Sequence, residues 1–234
     1  MPLSRSCDAP ITDIATVAPL PRTVEKLKSR GKLRVLALGS SSTAGVGASS
    51  QMKTYPAQLE TILERAFKGL DVVTINRGVS GEIAAATAER LKAQVVLEKP
   101  ELVLWQVGTN DALARVPVED FAAVVRDTIR WLKAQGVDVV LVGLQYTPRV
   151  ARDEYYASIR AVLHKVAIAE NVMLVRRFEA MQFIEQGHAG DFLAEDGLHL
   201  NDLGYLCMAE HVARAMVVSA FIKAIMSPGP PADQ

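Results

Sequence analysis

The chain has no surplus of either charge: 26 Lys and Arg balance 26 Asp and Glu among 234 residues. A nucleic-acid binder ordinarily shows a basic excess, so that class is disfavoured. An anionic membrane or other polyanion as main partner is disfavoured for the same reason. No apolar run approaches the roughly 18 residues of a membrane span, and no integral membrane contact is expected. The longest uncharged stretches, such as Leu102 to Asn110, are strand-sized. Cysteine is scarce. Cys7 and Cys207 are too few for a disulfide-dense scaffold or a zinc site of C-x-x-C type. By count alone they are two unrelated thiols or one bridge. No histidine pair has metal-ligand spacing with a cysteine or carboxylate cluster, so neither a metal nor a cofactor is implied. No internal repeat is visible. The start, MPLSRSCDAP, lacks the apolar core of a signal peptide. Taken literally, that gives a cytoplasmic chain, unless Met1 heads a trimmed one.

Half of the residues are hydrophobic and 22% are charged, which excludes a disordered chain and supplies one sizeable core. Residues 1–21, with Pro2, Pro10, Pro19 and Pro21, read as an extended arm. Residues 1–32 as a whole read as an arm and a helix packed on a domain that spans 33–226. The tail 227–234 (SPGPPADQ) reads as disordered. Five apolar runs rich in branched residues alternate with helical patterns. The runs are Leu33–Leu38, Val72–Asn76, Leu102–Val107, Val137–Leu144 and Val172–Val175. Helices fit Tyr55–Phe67, Glu82–Leu97, Glu154–Glu170 and Asp202–Met226, and one opened by Pro117 and stopped by Gly136. Near-continuous burial suits a parallel sheet, and alternation of strand and helix suits right-handed βαβ units. The expected fold is one three-layer α/β/α domain on a five-stranded parallel sheet. Ligands of such sheets bind outside the carboxyl ends of the strands.

Four segments stand at those ends or before the last helix. They are Gly39-Ser40-Ser41-Ser42-Thr43-Ala44-Gly45, Asn76-Arg77-Gly78-Val79-Ser80-Gly81, Gly108-Thr109-Asn110-Asp111 and Asp196-Gly197-Leu198-His199. Acyl transfer from an ester needs a nucleophile, a base, a group that orients the base, and donors for the oxyanion. The first segment offers hydroxyls where backbone amides are free and the field favours negative charge. Gly78 offers a bare amide and Asn110 a side-chain amide. His199 can take a serine proton. Asp196 can hold the imidazole in one tautomer and stabilise its charged form.

The four segments, in this order, resemble the signature blocks of the SGNH hydrolases, also called GDSL lipases and esterases. The resemblance runs from about Leu33 to about Ala220. It implies a flavodoxin-like sheet and a serine esterase working through an acyl-enzyme. Alignment of Gly39 and Gly45 with the first block gives Ser41 as nucleophile, with Ser40 or Ser42 as the alternatives in a run of three serines. It gives His199 as base and Asp196 as orienting acid. The Ser41 and Gly78 amides and the Asn110 side chain would form the oxyanion hole. Ser40 stands where the family has Asp, which leaves open what supports the turn. The strings ALGSSSTAGVGAS, WQVGTN and DGLHLNDLGY are similar to a bacterial subgroup of lysophospholipase-like esterases. Members of that subgroup carry cysteines at the places of Cys7 and Cys207, which implies a Cys7–Cys207 bridge and a periplasmic or secreted location.

Ser40 and Ser42 are turn formers. Asn201 or Asp202 caps the last helix. His164, His188 and His211 are structural or exposed. Arg22, Lys26, Lys28, Arg30, Lys32 and Arg34 make a solvated helix face. Gln145–Arg149 lines a pocket or is an ordinary loop. Gly39–Gly47 lacks the Walker lysine of a phosphate loop. The substrate expected is a small ester or an acylated sugar or lipid. The rivals to hydrolysis are an acyltransferase or deacetylase acting on a sugar or lipid hydroxyl, and a binding module with a disabled site. The sequence leaves the oligomeric state open.

Overall fold

A computed structural model describes residues 1–187 and 191–226. The tail 227–234 and His188 lie outside the described residues. The strands are β1 (Ala15–Thr16), β2 (Lys32–Gly39), β3 (Asp71–Gly78), β4 (Leu102–Gln106), β5 (Asp138–Val142) and β6 (Met173–Val175). They make one sheet in the order β1-β6-β5-β4-β2-β3. Five strands are parallel, as expected. The sixth, β1, is a correction: it pairs antiparallel with β6, Ala15 opposite Val175. A two-residue strand carries no period-2 pattern, so nothing in the sequence marks it. Residues 1–21 are therefore not simply extended. They hold a one-turn 3-10 helix over Arg5–Cys7, the short helix α1 (Ile11–Ile14) and β1.

The remaining α-helices are α2 (Pro21–Ser29), α3 (Ser41–Ala44), α4 (Tyr55–Ala66), α5 (Ala84–Glu98), α6 (Thr109–Leu113), α7 (Val118–Ala134), α8 (Glu154–Ala169), α9 (Arg177–Gly187) and α10 (Asp202–Met226). Pro117 is the N-cap of α7 rather than its first residue. The start of α5 is set from a distance: Asp111 Oδ1 accepts the Ala84 amide at 2.8 Å. Helix α9 was not anticipated. Only Arg176 separates it from β6, and no Gly or Pro marks the turn.

Each central strand feeds two cores, because successive side chains point to opposite faces. Leu33, Val35 and Ala37 of β2 pack with Leu59 and Leu63 of α4, Met181 of α9 and Val212 of α10. Leu36 and Leu38 of the same strand pack with Leu91 of α5, Val125 of α7 and Ile159 of α8. These are the three layers. Each buried Val, Leu, Ile or Met side chain among them contributes about 1.5–3 kcal/mol.

Strand order reverses at β2. The chain leaves it for β3 on one side and later returns to its other side with β4. A crevice opens at such a switch point, beyond the carboxyl ends of the two strands. Ser41 follows β2 and Asn110 follows β4. Two of the four sequence segments therefore flank the crevice.

Cys7 and Cys207 are joined in a disulfide that ties the N-terminal segment to α10. His211, buried on α10, donates from Nε2 to the Cys7 carbonyl at 2.7 Å, and burial lowers its pKa. His164 pairs with Thr16 at 3.0 Å. The bridge closes a loop across a sequence separation of 200 residues. Restricting so long a loop in the unfolded chain is worth about 3–5 kcal/mol. Urea unfolding of Cys7→Ser, or of the parent with reductant, should show that loss. A midpoint unmoved by reductant would contradict it.

Candidate active site

The three serines after β2 face three ways. Ser40 is buried: its amide donates to Gln106 Oε1 at 2.9 Å and its hydroxyl to the same oxygen at 3.0 Å. Gln106, the last residue of β4, thus supports the turn from below. Thr43 also donates to it, at 3.4 Å. Ser42 is buried as well and donates to Gln145 Oε1 at 3.2 Å. Ser41 points the other way. Its Oγ lies 2.9 Å from His199 Nε2. Ser41 is the first residue of the one-turn helix α3, and no described acceptor takes its amide, as befits an orphan first-turn donor.

The loop before α10 carries the other two groups. His199 Nδ1 lies 2.5 Å from Asp196 Oδ2. The other carboxylate oxygen, Oδ1, accepts the amides of Leu198 and His199, both at 2.9 Å. The contact to His199 and these two amides hold the Asp196 carboxyl at about 2, well below its ordinary value. An ionised carboxylate only accepts, so Nδ1 carries the imidazole proton and Nε2 is bare. The bare nitrogen accepts from Ser41. A hydroxyl, an imidazole and a carboxylate so connected can carry out nucleophilic acyl transfer.

The oxyanion candidates separate. Asn110 donates one of its two amide hydrogens to the Glu82 carbonyl at 2.8 Å, which leaves the other free to point elsewhere. Gly78 does not offer a free amide: its N–H already donates to Asn76 Oδ1 at 2.9 Å. A Cβ on Gly78 would lie 2.2 Å from the Ala44 amide nitrogen. The glycine lets β3 pass against the Ser41 helix, and Asn76 Nδ2 fastens the two by donating to the Thr43 carbonyl at 2.7 Å. Three residues on, Gly81 has φ of 83°, and no described acceptor takes its amide. It stands next to Glu82, the residue that holds Asn110.

Sequence reasoning placed Gly81 in the second segment and Gln145 in a pocket-lining or ordinary loop, but gave neither these nor Gln106 a role at the site. A signal existed for the two glutamines. Each is a polar residue at the end of an apolar strand run, LVLWQ and LVGLQ, where such a sheet opens its crevice. For Gly81 the only cue was a second glycine in the same turn. Before α10, Asn201 Oδ1 accepts the amides of Leu203 and Gly204 at 3.0 Å and is the cap. Asp202 instead holds Ser49, accepting its amide at 2.8 Å and its hydroxyl at 2.6 Å. Among the described residues no cluster of three or more His, Cys, Asp or Glu is arranged to hold a metal ion. Among them no helix is long and apolar enough to cross a membrane.

Residues 6–221 match the model of one protein family, described as the Non-GDSL lipase-like family. The chain belongs to that family. An arylesterase of Vibrio mimicus is 27% identical over 190 residues, 81% of this chain and 90% of its own. The esterase TesA of Pseudomonas aeruginosa is 28% identical over 167 residues, 70% of this chain and 78% of its own. A crystal structure of TesA superposes with a TM-score of 0.68 at 27% identity, over 80% of this chain and 99% of that one. A two-domain esterase active on acetylated mannans gives a TM-score of 0.78 at 18% identity. That match covers 96% of this chain but only 60% of the two-domain protein, and it speaks for the fold alone. This member of the Non-GDSL lipase-like family is thus an SGNH-type hydrolase, and its esterase relatives, matched over 70% and 81% of this chain, support a hydrolase of carboxylic esters.

Proposed function

We propose that the protein hydrolyses small carboxylic esters through an acyl-enzyme on Ser41, with His199 as general base and Asp196 as its orienting carboxylate. The observation that carries this reading is the unbroken relay from Ser41 Oγ to His199 at 2.9 Å and on to Asp196 at 2.5 Å. Ser41 Oγ attacks the ester carbonyl carbon and its proton passes to Nε2. The carbonyl oxygen becomes an oxyanion. The Ser41 amide, the free hydrogen of Asn110 Nδ2 and the Gly81 amide receive it; Gly78, with its amide engaged, keeps a packing role. Collapse breaks the bond to the alcohol, which leaves with the proton from Nε2. Water then repeats the sequence on the acyl-enzyme, and the acid and the Ser41 hydroxyl are regenerated.

Water access favours hydrolysis over transfer to another alcohol. The Asp196 side chain is 48% exposed and His199 18%. Val46 and Val79, exposed in the turns near Ser41 and Gly81, and Leu113, exposed at the end of α6 after Asn110, offer apolar contact to the acyl or aryl part of a substrate.

A fluorophosphonate probe tests the reading. One equivalent should label the protein, on Ser41, and block release of p-nitrophenol from a short ester. A folded protein that neither reacts nor turns over would overturn it. Asn110→Ala should lower kcat by roughly 10²–10³-fold, the usual cost of one oxyanion donor, with KM little changed. Steady-state kinetics on the same ester checks this, and a kcat within twofold of the parent would remove Asn110 from the hole.

A further inference from the structure

We propose that Gln145 is a positioning residue that sets the distance between Ser41 and His199. Its side chain joins the two loops that must meet. Oε1 accepts the Ser42 hydroxyl at 3.2 Å, one residue from Ser41. Nε2 donates to the Leu198 carbonyl, one residue from His199. The amide cannot be turned round, because a carbonyl takes only a donor. Besides this clamp, the one direct side-chain hydrogen bond between residues 39–45 and 191–201, among the described residues, is the Ser41–His199 contact that the chemistry must break and remake; Ser49 and Asp202 join the two stretches farther out.

The clamp is itself held fast. Gln145 is 2% exposed. Its amide donates to Thr109 Oγ1 at 3.1 Å, and its carbonyl accepts from Tyr156 at 2.6 Å. With the tyrosine hydrogen so used, Thr109 donates to the Tyr156 oxygen at 3.3 Å. Thr109 precedes Asn110. One buried glutamine therefore touches the Ser41 turn and the His199 loop with its side chain, and the Asn110 turn with its backbone. A fixed separation matters because a misplacement of about 1 Å costs about 100-fold in rate. Neither hydrogen bond of the side chain is made to a reacting atom, so Gln145 acts through Ser42 and Leu198.

This rests on the ester-hydrolase mechanism proposed above, and the parent enzyme controls for that: parent turnover and fluorophosphonate labelling hold whether or not Gln145 matters. Gln145→Leu keeps the volume and removes both contacts. It should lower kcat for a p-nitrophenyl ester by about 10- to 100-fold, with KM within about threefold. Ser42→Ala removes one hydroxyl and only the first contact, and should lower kcat by a smaller factor. The double variant should be no slower than Gln145→Leu alone, since both act through one link. A purely structural role would move the melting temperature without this split of kcat from KM and without the coupling. A folded Gln145→Leu enzyme within twofold of parent kcat would overturn the proposal. So would a double variant whose loss is the product of the single losses. If Gln145→Leu does not fold, an unchanged kcat in Ser42→Ala overturns it and a lowered kcat at constant KM supports it.

Discussion

Ser41→Ala should lower kcat on a short p-nitrophenyl ester by about 10⁴- to 10⁶-fold, as loss of the nucleophile does in other serine hydrolases. The same variant should melt within a few degrees of the parent. The two expectations come from one geometric fact. Ser41 Oγ has a single side-chain partner, His199 Nε2 at 2.9 Å, and lies in an opening that solvent reaches. Removing the hydroxyl leaves the imidazole free to bond water, so no buried polar group is orphaned. Ser40 should behave in the opposite way. Ser40→Ala breaks a buried bond to Gln106 and costs stability at the base of the turn. The hydroxyls of Ser40 and Ser42 bond Gln106 and Gln145 instead of His199. Full turnover by Ser41→Ala, measured by p-nitrophenol release and corrected for background hydrolysis, would move the nucleophile to one of them.

The sheet was legible because its period was. Residues 102–106, LVLWQ, are buried on both faces, and such a run between turn residues has few other homes than a central parallel strand. Strand β1 was not legible: two residues carry no period, and its pairing with β6 is a contact between distant parts of the chain. Helix α9 was hidden because it leaves β6 without punctuation. At the site, the residues that reach solvent were the legible ones, since His199, Asp196 and Asn110 stand in turn segments where polar groups need a reason of their own. What lies beneath was not. Gln106 ends β4 and Gln145 lies three residues beyond β5, both closing apolar runs, and their partners are serines 66 and 103 residues away. Their support also explains why Ser40 can stand where the related pattern has Asp. The turn needs its Ser40 amide held, and Gln106 does that from β4. Gly78 was misread for a related reason. A sequence shows that a Cβ is absent, but not whether the gap admits a ligand, as is assigned to Gly81, or a neighbouring backbone, as at Gly78.

Asp196→Asn should lower kcat by about 10²- to 10⁴-fold while the loop keeps its shape. Oδ1 of Asp196 accepts two amides, from Leu198 and His199. An asparagine at this position must turn its own oxygen toward those donors. That puts its NH₂ against His199 Nδ1 and demands an unprotonated nitrogen there. The imidazole proton then moves to Nε2, facing Ser41, where it blocks acceptance of the serine proton. The upper limit is the loss seen when other triads are locked in the wrong tautomer; exposure of the carboxylate softens it, because water can solvate the imidazolium in its place. The pH response separates this from general damage. In the parent the carboxyl is held at about 2, so it stays ionised throughout any ordinary assay, and an acid limb above about pH 4 belongs to another group. A carboxyl whose pKa is depressed in the folded state adds stability above its unfolded pKa and loses it as pH falls toward the folded one. The parent should therefore lose a small increment of stability between about pH 4 and 2 that the asparagine variant lacks. Urea melts across that window check the increment, and steady-state rates at neutral pH check the tautomer. A variant within tenfold of parent kcat would show that Asp196 does not orient the base.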